Sequence, residues 1–156
     1  MNQQGAEDVA IRANGDLVSS VNTGEVYEMD LSSPLHQIGN ARPGQVFGVE
    51  MDMPQCANNA YAILMSTSAN TGMIIDGHFL PLDMSAFLVQ TTSQRPSATY
   101  NFDGFLDANG RAAGYMLVPN LPQLTGFSVY MAAVAFDSAQ SQLTGVSNGV
   151  QVVVEL

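Results

Sequence analysis

Three side chains in the sequence have the chemistry that catalysis or metal binding most often uses: Cys56, His36 and His78. A catalytic or metal site needs several such groups that converge on one point, and the chain has no second Cys and no H-x-x-x-H or H-x-H motif. We therefore interpret His78, which follows Asp76 and Gly77, as a histidine of a loop or strand end. The sequence predicts no catalytic residue, no metal ligand and no cofactor.

Cys56 is the only cysteine in the sequence, so no disulfide can form within the chain. Free cysteines are among the residues most often buried, and we interpret Cys56 as a small core side chain. An intermolecular disulfide, a reactive thiol and a Cys–His dyad are the alternatives.

The segment Asp103–Gly110 places several oxygen ligands near a glycine, as a calcium loop does. An EF-hand loop needs carboxylates at alternate positions and a Glu at its end, and this spacing differs. Asp107-Ala-Asn-Gly110 instead predicts a hairpin turn, because Asp and Asn accept hydrogen bonds from nearby backbone and Asn and Gly tolerate positive φ. Incidental binding of Ca²⁺ is the alternative.

The five tyrosines could form the aromatic platforms of a sugar-binding β-sandwich, although the chain has no Trp. Most of them lie inside alternating runs, which favours core positions or cross-strand pairs. The chain has no N-x-[ST] sequon, so N-glycosylation is not expected. The hydroxyl clusters at residues 66–68 and 91–93 are candidate sites for O-linked glycans.

The charge balance excludes several classes of partner. The chain has 14 carboxylates, four Arg and no Lys, which gives a net charge of −10. A basic patch for nucleic acid cannot be built from four Arg, and anionic membrane surfaces are disfavoured for the same reason. No run approaches the roughly 18 apolar residues of a membrane span. The absence of Lys also excludes lysine catalysis and Lys–Asn isopeptide bonds.

Short strands separated by Gly, Pro, Asn and Asp make up most of the chain, whereas helical periodicity is almost absent. We count roughly eight to eleven strands, at the spacing of a sandwich or jelly roll. The longest apolar run is Phe127–Phe136. Residues 32–45 hold two Pro and two Gly, and we interpret them as a connection and domain boundary. The prediction is an all-β, antiparallel β-sandwich of jelly-roll or immunoglobulin-like type over residues 44–156.

Residues 1–43 are predicted to form a strand-rich extension before this domain. Asn14-Gly15 lies between the runs Asp8–Ala13 and Asp16–Val21, and Asn-Gly between alternating runs is a strong hairpin signal. The segment Glu25–Leu31 alternates strictly and predicts a further strand.

Five segments of the second half follow one another in a recognisable order: Asn101–Gly104, the turn Leu106–Ala112, Val118–Gly126, the strand Phe127–Asp137 and the turn Val146–Val150. In this pattern the chain resembles, from about Gly44 to its end, an uncharacterised family of exported bacterial β-sandwich domains. Such domains are typical of the C-terminal ends of proteins secreted by environmental bacteria. The resemblance implies a β-sandwich, export and no known catalytic residues.

Strand pairing between subunits is the function that this organisation favours. An early strand that pairs with the next subunit satisfies edge hydrogen bonds and buries alternate side chains in its partner. Val9 and Ile11 point to one face of the first run and are the predicted anchors, together with Leu17 and Val18 of the next run. A contact of this head-to-tail kind does not close, so it produces filaments.

We therefore predict an extracellular or cell-surface structural protein, whose partner is itself, and not an enzyme. It would be a self-assembling subunit of a filament or surface layer. The alternative is an extracellular module that binds a carbohydrate or a cell-surface partner. A hydrolase would need His78 or Cys56 in a polar cleft with partners within hydrogen-bond reach.

Overall fold

The computed structural model describes residues 8–11, 17–20, 26–29, 33–137, 139 and 141–156. The chain separates into two compact units, Met1–Ser33 and Pro34–Leu156. Both units are built from antiparallel strands, which confirms the predicted all-β class.

The N-terminal unit contains a three-stranded sheet. Its strands are β1 (Asp8–Ile11), β2 (Leu17–Ser20) and β3 (Val26–Met29), and β2 lies between the other two. The predicted hairpin is confirmed as an antiparallel pair of β1 and β2, although Asn14 and Gly15 themselves lie outside the described residues.

The second unit contains eleven described strands, one described α-helix and two 3₁₀ turns. The strands are β4 (Leu35–Ile38), β5 (Val46–Asp52), β6 (Ala60–Ser66), β7 (Met73–Ile75), β8 (His78–Leu80), β9 (Thr99–Tyr100), β10 (Asp103–Phe105), β11 (Arg111–Leu117), β12 (Ser128–Asp137), β13 (Gln142–Val146) and β14 (Val150–Val153). The helix α1 spans Ala86–Ser93, and the 3₁₀ turns span Pro54–Cys56 and Pro122–Leu124.

These strands form two main sheets and a separate hairpin. The first sheet has the order β4-β5-β11-β9, and the second has the order β10-β6-β12-β13. β14 pairs with the first half of β12, and β13 pairs with its second half. Among the described strands, β7 and β8 pair only with each other.

The main core lies between the two sheets, as in a sandwich. Alternate residues of β5 are buried from the first sheet, and alternate residues of β6 and β12 are buried from the second. The buried side chains of these strands are Phe47, Val49, Met51, Tyr61, Ile63, Met65, Val129, Met131, Ala133 and Ala135. Burying one such large apolar side chain stabilises a fold by about 1.5–3 kcal/mol.

A second apolar cluster covers the other face of the second sheet. Leu80 of β8 and Leu88 of α1 are buried there together with Ala132 and Val134 of β12. The central strand β12 is therefore buried on both faces. This position explains why Val129–Phe136 is a continuous apolar run rather than an alternating one.

Helix α1 is not predicted by the sequence pattern, in which helical periodicity is almost absent. Ser85 caps the helix, because its Oγ accepts a hydrogen bond from the backbone N–H of Leu88 at 3.0 Å. With eight residues, α1 is too short to show helical periodicity along the sequence. Within the described part of the chain, no helix has the length and apolarity that a bilayer span requires.

The predicted connection over residues 32–45 is wrong in part, because it contains β4. Leu35 is fully buried and β4 pairs with β5 along the edge of the first sheet. The second unit accordingly begins at Pro34. Only four residues lie between Pro34 and Gly39, which are both typical of turns. A strand this short between two turn residues is not recognised from the sequence pattern.

Candidate functional site

The four predicted anchor residues lie in two neighbouring strands of the N-terminal sheet. Val9 and Ile11 occupy alternate positions of β1, whereas Leu17 and Val18 belong to β2. The structure brings Ile11 opposite Leu17 and places Val18 opposite Ala10. β2 is paired on both edges, whereas β1 has one edge without a partner among the described strands. Val9 and Ile11 therefore lie on an edge strand of this sheet.

Cys56 lies in the sandwich core at the end of a 3₁₀ turn and is 1% exposed. Its Sγ contacts Gly145 so closely that a Cβ at that glycine would lie 2.6 Å from the sulfur. His36 lies on the outer side of the first sheet, where its Nε2 is 3.2 Å from a carboxylate oxygen of Glu50. The burial confirms the interpretation of Cys56 as a core side chain.

His78 is the first residue of β8, directly after the turn that joins β7 to β8. The turn residues Asp76 and Gly77 both have positive φ, of 50° and 80°, which is the geometry of a tight two-residue hairpin. His78 pairs with Ile75 across the hairpin. Its interpretation as a strand-end histidine is therefore confirmed.

The segment around Asp107 forms the predicted turn between β10 and β11. Asp107 Oδ1 accepts hydrogen bonds from the backbone N–H groups of Arg111 and Asn109, each at 2.8 Å. These bonds lower the pKa of Asp107, because they stabilise its charged form. Among the residues that the structure describes, no three His, Cys, Asp or Glu side chains are grouped closely enough to hold a metal ion.

Gly145-Val-Ser-Asn-Gly149 has the spacing G-x-S-x-G, which in hydrolases marks a nucleophilic serine, and the prediction of no catalytic residue overlooks this motif. Ser147 lies between two strands, β13 and β14, rather than between a strand and a helix. It is 4% exposed. Its Oγ donates to the carbonyl of Asn148 at 2.7 Å and accepts from the N–H of Ala133 at 2.8 Å. These bonds make Ser147 a structural residue of the sheet.

Two of the predicted O-glycan positions are inaccessible. Ser66 is fully buried, and its Oγ donates to the carbonyl of Asp83 at 2.8 Å. Thr91 is buried as well and donates to the carbonyl of Leu88. Only the exposed hydroxyls of the two clusters stay as candidates, such as that of Thr67.

The outer side of the first sheet carries a cluster of exposed apolar and aromatic side chains, which we call the tyrosine face. Tyr100 of β9 and Tyr115 of β11 are cross-strand neighbours in this cluster. They are 55% and 42% exposed. The cluster consists of Ile38, Val46, Tyr100, Tyr115 and Leu117.

Gly48 of β5 explains how Tyr115 lies on this sheet. A Cβ at Gly48 would be 3.1 Å from two ring carbons of Tyr115, so the ring lies against the glycine backbone. A side chain at this position would lift the ring away from the sheet. The result is a shallow aromatic surface between Tyr100 and the glycine.

Two polar side-chain pairs on β4, β5 and β11 border the tyrosine face. Glu50 pairs with His36 of β4, and Asp52 accepts hydrogen bonds from Arg111 at 3.1 and 3.3 Å. An apolar face of a ligand can stack on such rings, while the neighbouring polar side chains form hydrogen bonds with the polar edge of the ligand.

Alternation along β5 and β11 could have located the tyrosine face in the sequence. Every second residue of Val46–Asp52 and of Arg111–Leu117 lies on the outer side. Tyr100 and Tyr115 confirm the expectation of cross-strand pairs, and Tyr61 confirms the expectation of core positions because it is 4% exposed. The pairing of β9 with β11, which brings Tyr100 beside Tyr115, does not follow from the sequence of either strand alone.

No protein-family model matches the chain, and no curated protein is significantly similar to it. The resemblance to exported bacterial domains stays a prediction.

Proposed function

We propose that this protein is an extracellular structural subunit that assembles with copies of itself through β-strand addition, to form a filament or surface layer. The observation that carries the proposal is a separate N-terminal unit, Met1–Ser33, with a sheet of three four-residue strands. Chains below roughly 40 residues seldom bury enough surface to fold without further support. In the proposal, a neighbouring subunit supplies that support.

Strand β1 is the element best suited to pair with the next subunit. It lies at the edge of its sheet, so one row of its backbone N–H and C=O groups has no partner among the described strands. Such an edge is a template for pairing with another chain. Added strands gain affinity from backbone hydrogen bonds and specificity from alternate side chains, here Val9 and Ile11.

Replacing Ile11 by Asp tests this proposal. We expect Ile11→Asp to stay monomeric under conditions in which the wild type assembles, because the contact would have to bury a carboxylate without a partner. Electron microscopy shows whether polymers form, and sedimentation velocity measures their fraction.

Ile74→Asp is the matched control, since it introduces the same charge at a residue of β7 that is 75% exposed. We expect this variant to assemble as the wild type does. Normal assembly of Ile11→Asp would contradict strand addition through β1. Loss of assembly in Ile74→Asp alone would move the contact to the β7–β8 hairpin.

The tyrosine face supports a second candidate function, binding of a carbohydrate or cell-surface partner. Its exposed pair Tyr100 and Tyr115 shares the outer side of the first sheet with Glu50 and His36, so stacking and hydrogen bonding are available on one surface. A glycan array with the monomer tests this function. Saturable binding that Tyr115→Ala abolishes would favour a binding module, whereas no binding would favour the structural subunit.

A further inference from the structure

A cavity of about 170 Å³ lies at one end of the sandwich, between the two sheets. The first sheet contributes residues from β5 and β11, and the second contributes residues from β12 and β14. Helix α1 and the second 3₁₀ turn complete the wall. Representative lining residues are Phe47, Phe87, Met116, Leu124, Val129 and Val152.

The wall of this cavity is entirely apolar. All twelve lining residues are apolar, and no polar atom is exposed on its surface. Seven of them are buried, so the cavity extends from the surface into the core. A group that enters it can gain contacts with apolar atoms but no hydrogen bonds.

Backbone hydrogen bonds fix the chain at the rim of the cavity. The carbonyl of Ala41 accepts from Glu155 at 2.8 Å, and that of Val154 accepts from Gly126 at 2.8 Å. Val118 donates to the carbonyl of Gln45 at 2.9 Å. Ala41, Val118 and Val154 all line the cavity, so these bonds fix the backbone position of three lining residues.

We propose that this cavity binds an uncharged apolar group of a small molecule, either an aromatic ring or a short alkyl chain. An engineered apolar cavity of about 150 Å³ stays dry and binds benzene or xenon, and the cavity here has similar size and chemistry. The inference does not depend on how the subunits assemble, since every lining residue belongs to the second unit.

Charge at the rim supports a neutral ligand. The exposed residues Arg42 and Glu155 directly follow the lining residues Ala41 and Val154 in the chain. One charge of each sign favours neither a cation nor an anion. The net charge of −10 further disfavours the carboxylate of a fatty acid.

Benzene titration followed by NMR of methyl-labelled methionines tests the proposal directly. Met116 and Met131 line the cavity, and the ring current of bound benzene should shift their methyl signals in a saturable way. Met73 and Met84 line a separate groove beside α1 and serve as internal references whose signals should not saturate.

A variant that fills the cavity should abolish the response. Val118→Phe places a ring in the cavity, and we expect benzene to leave Met116 and Met131 unshifted in this protein. Val46→Phe is the matched control, because Val46 is 56% exposed on the other side of the sheet. Ala41→Leu is a second filling variant, for use if Val118→Phe does not fold.

Three results would overturn the proposal. The first is the absence of any saturable shift of Met116 and Met131 in the wild type. The second is an equal response of Met73 and Met84, or an undiminished response in both filling variants. The third is a shift of Met116 and Met131 with protein concentration alone, which would assign the cavity to a side chain of a second copy.

Discussion

At the residue scale, the carboxylate of Asp83 organises the connection between β6 and β7. It accepts hydrogen bonds from the backbone N–H groups of Asn70, Thr71 and Gly72, at 2.8–2.9 Å. These bonds, with that from Asn70 the largest contribution, lower the pKa of Asp83 to about 2. One side chain thus accepts hydrogen bonds from three successive backbone N–H groups of this loop.

The lowered pKa predicts how stability depends on pH. A carboxyl with a pKa below its ordinary 3.8 contributes stability above that pH, and the contribution is lost as pH falls towards about 2. We expect Asp83→Asn to lower the free energy of unfolding at pH 7, and to weaken the loss of stability of the wild type between about pH 4 and pH 2. Urea denaturation at several pH values measures both effects.

Asp76→Asn is the control for this experiment, because Asn also tolerates the positive φ of the β7–β8 turn. It should change stability little at pH 7. A pH dependence of Asp83→Asn identical to that of the wild type would show that the three hydrogen bonds do not contribute.

At the element scale, the segment between β13 and β14 connects the second sheet to the first through side-chain hydrogen bonds. Asn148 lies in this segment, and its side chain forms hydrogen bonds with the backbone N–H and C=O of Leu35 in β4. Its Oδ1 accepts from the Leu35 N–H at 2.8 Å, and its Nδ2 donates to the Leu35 carbonyl at 3.0 Å. An amide side chain thus takes the place of a neighbouring strand at the edge of β4.

Removal of this side chain should destabilise the sandwich. Asn148→Ala leaves the backbone groups of the buried Leu35 without partners, which costs about 1–3 kcal/mol. Chemical denaturation should show a lower midpoint with an unchanged m-value. Asn109→Ala is the control, since Asn109 contributes its backbone rather than its side chain to the Asp107 turn. Equal stability of both variants would contradict the role of Asn148.

At the scale of the whole molecule, charge opposes the assembly that we propose. Each subunit carries a net charge of −10 at pH 7 and has an isoelectric point of about 4.1. Like-charged subunits repel one another, and salt weakens this repulsion because the Debye length is only about 8 Å at 0.15 M.

Assembly should therefore increase as pH falls from 7 towards about 4.5, and as salt is raised at pH 7. Sedimentation velocity or light scattering measures the assembled fraction under each condition. Assembly that decreases with added salt would show that attraction between opposite charges, rather than strand pairing, holds the subunits together.

Local pattern alone determined much of this protein. Alternation and turn residues predicted an all-β chain, the hairpin of β1 and β2, and the turn at Asp107, because each depends on neighbours in the chain. The core position of Cys56 also followed from its residue type. Eight residues of α1 and four of β4 were too short for their patterns to stand out.

Only the tertiary structure decided which residues meet across distance. Ser147 has the motif spacing of a nucleophilic serine. Its hydroxyl instead accepts a hydrogen bond from the backbone N–H of Ala133 in β12, in the place of a backbone carbonyl. Asn148 pairs with Leu35, 113 residues earlier in the chain. The tyrosine face and the apolar cavity exist because two sheets pack together, which turns one set of alternate residues inward and leaves the other outside. Which residues meet depends on how strands pair and sheets pack, and the sequence of a single strand does not specify its partners.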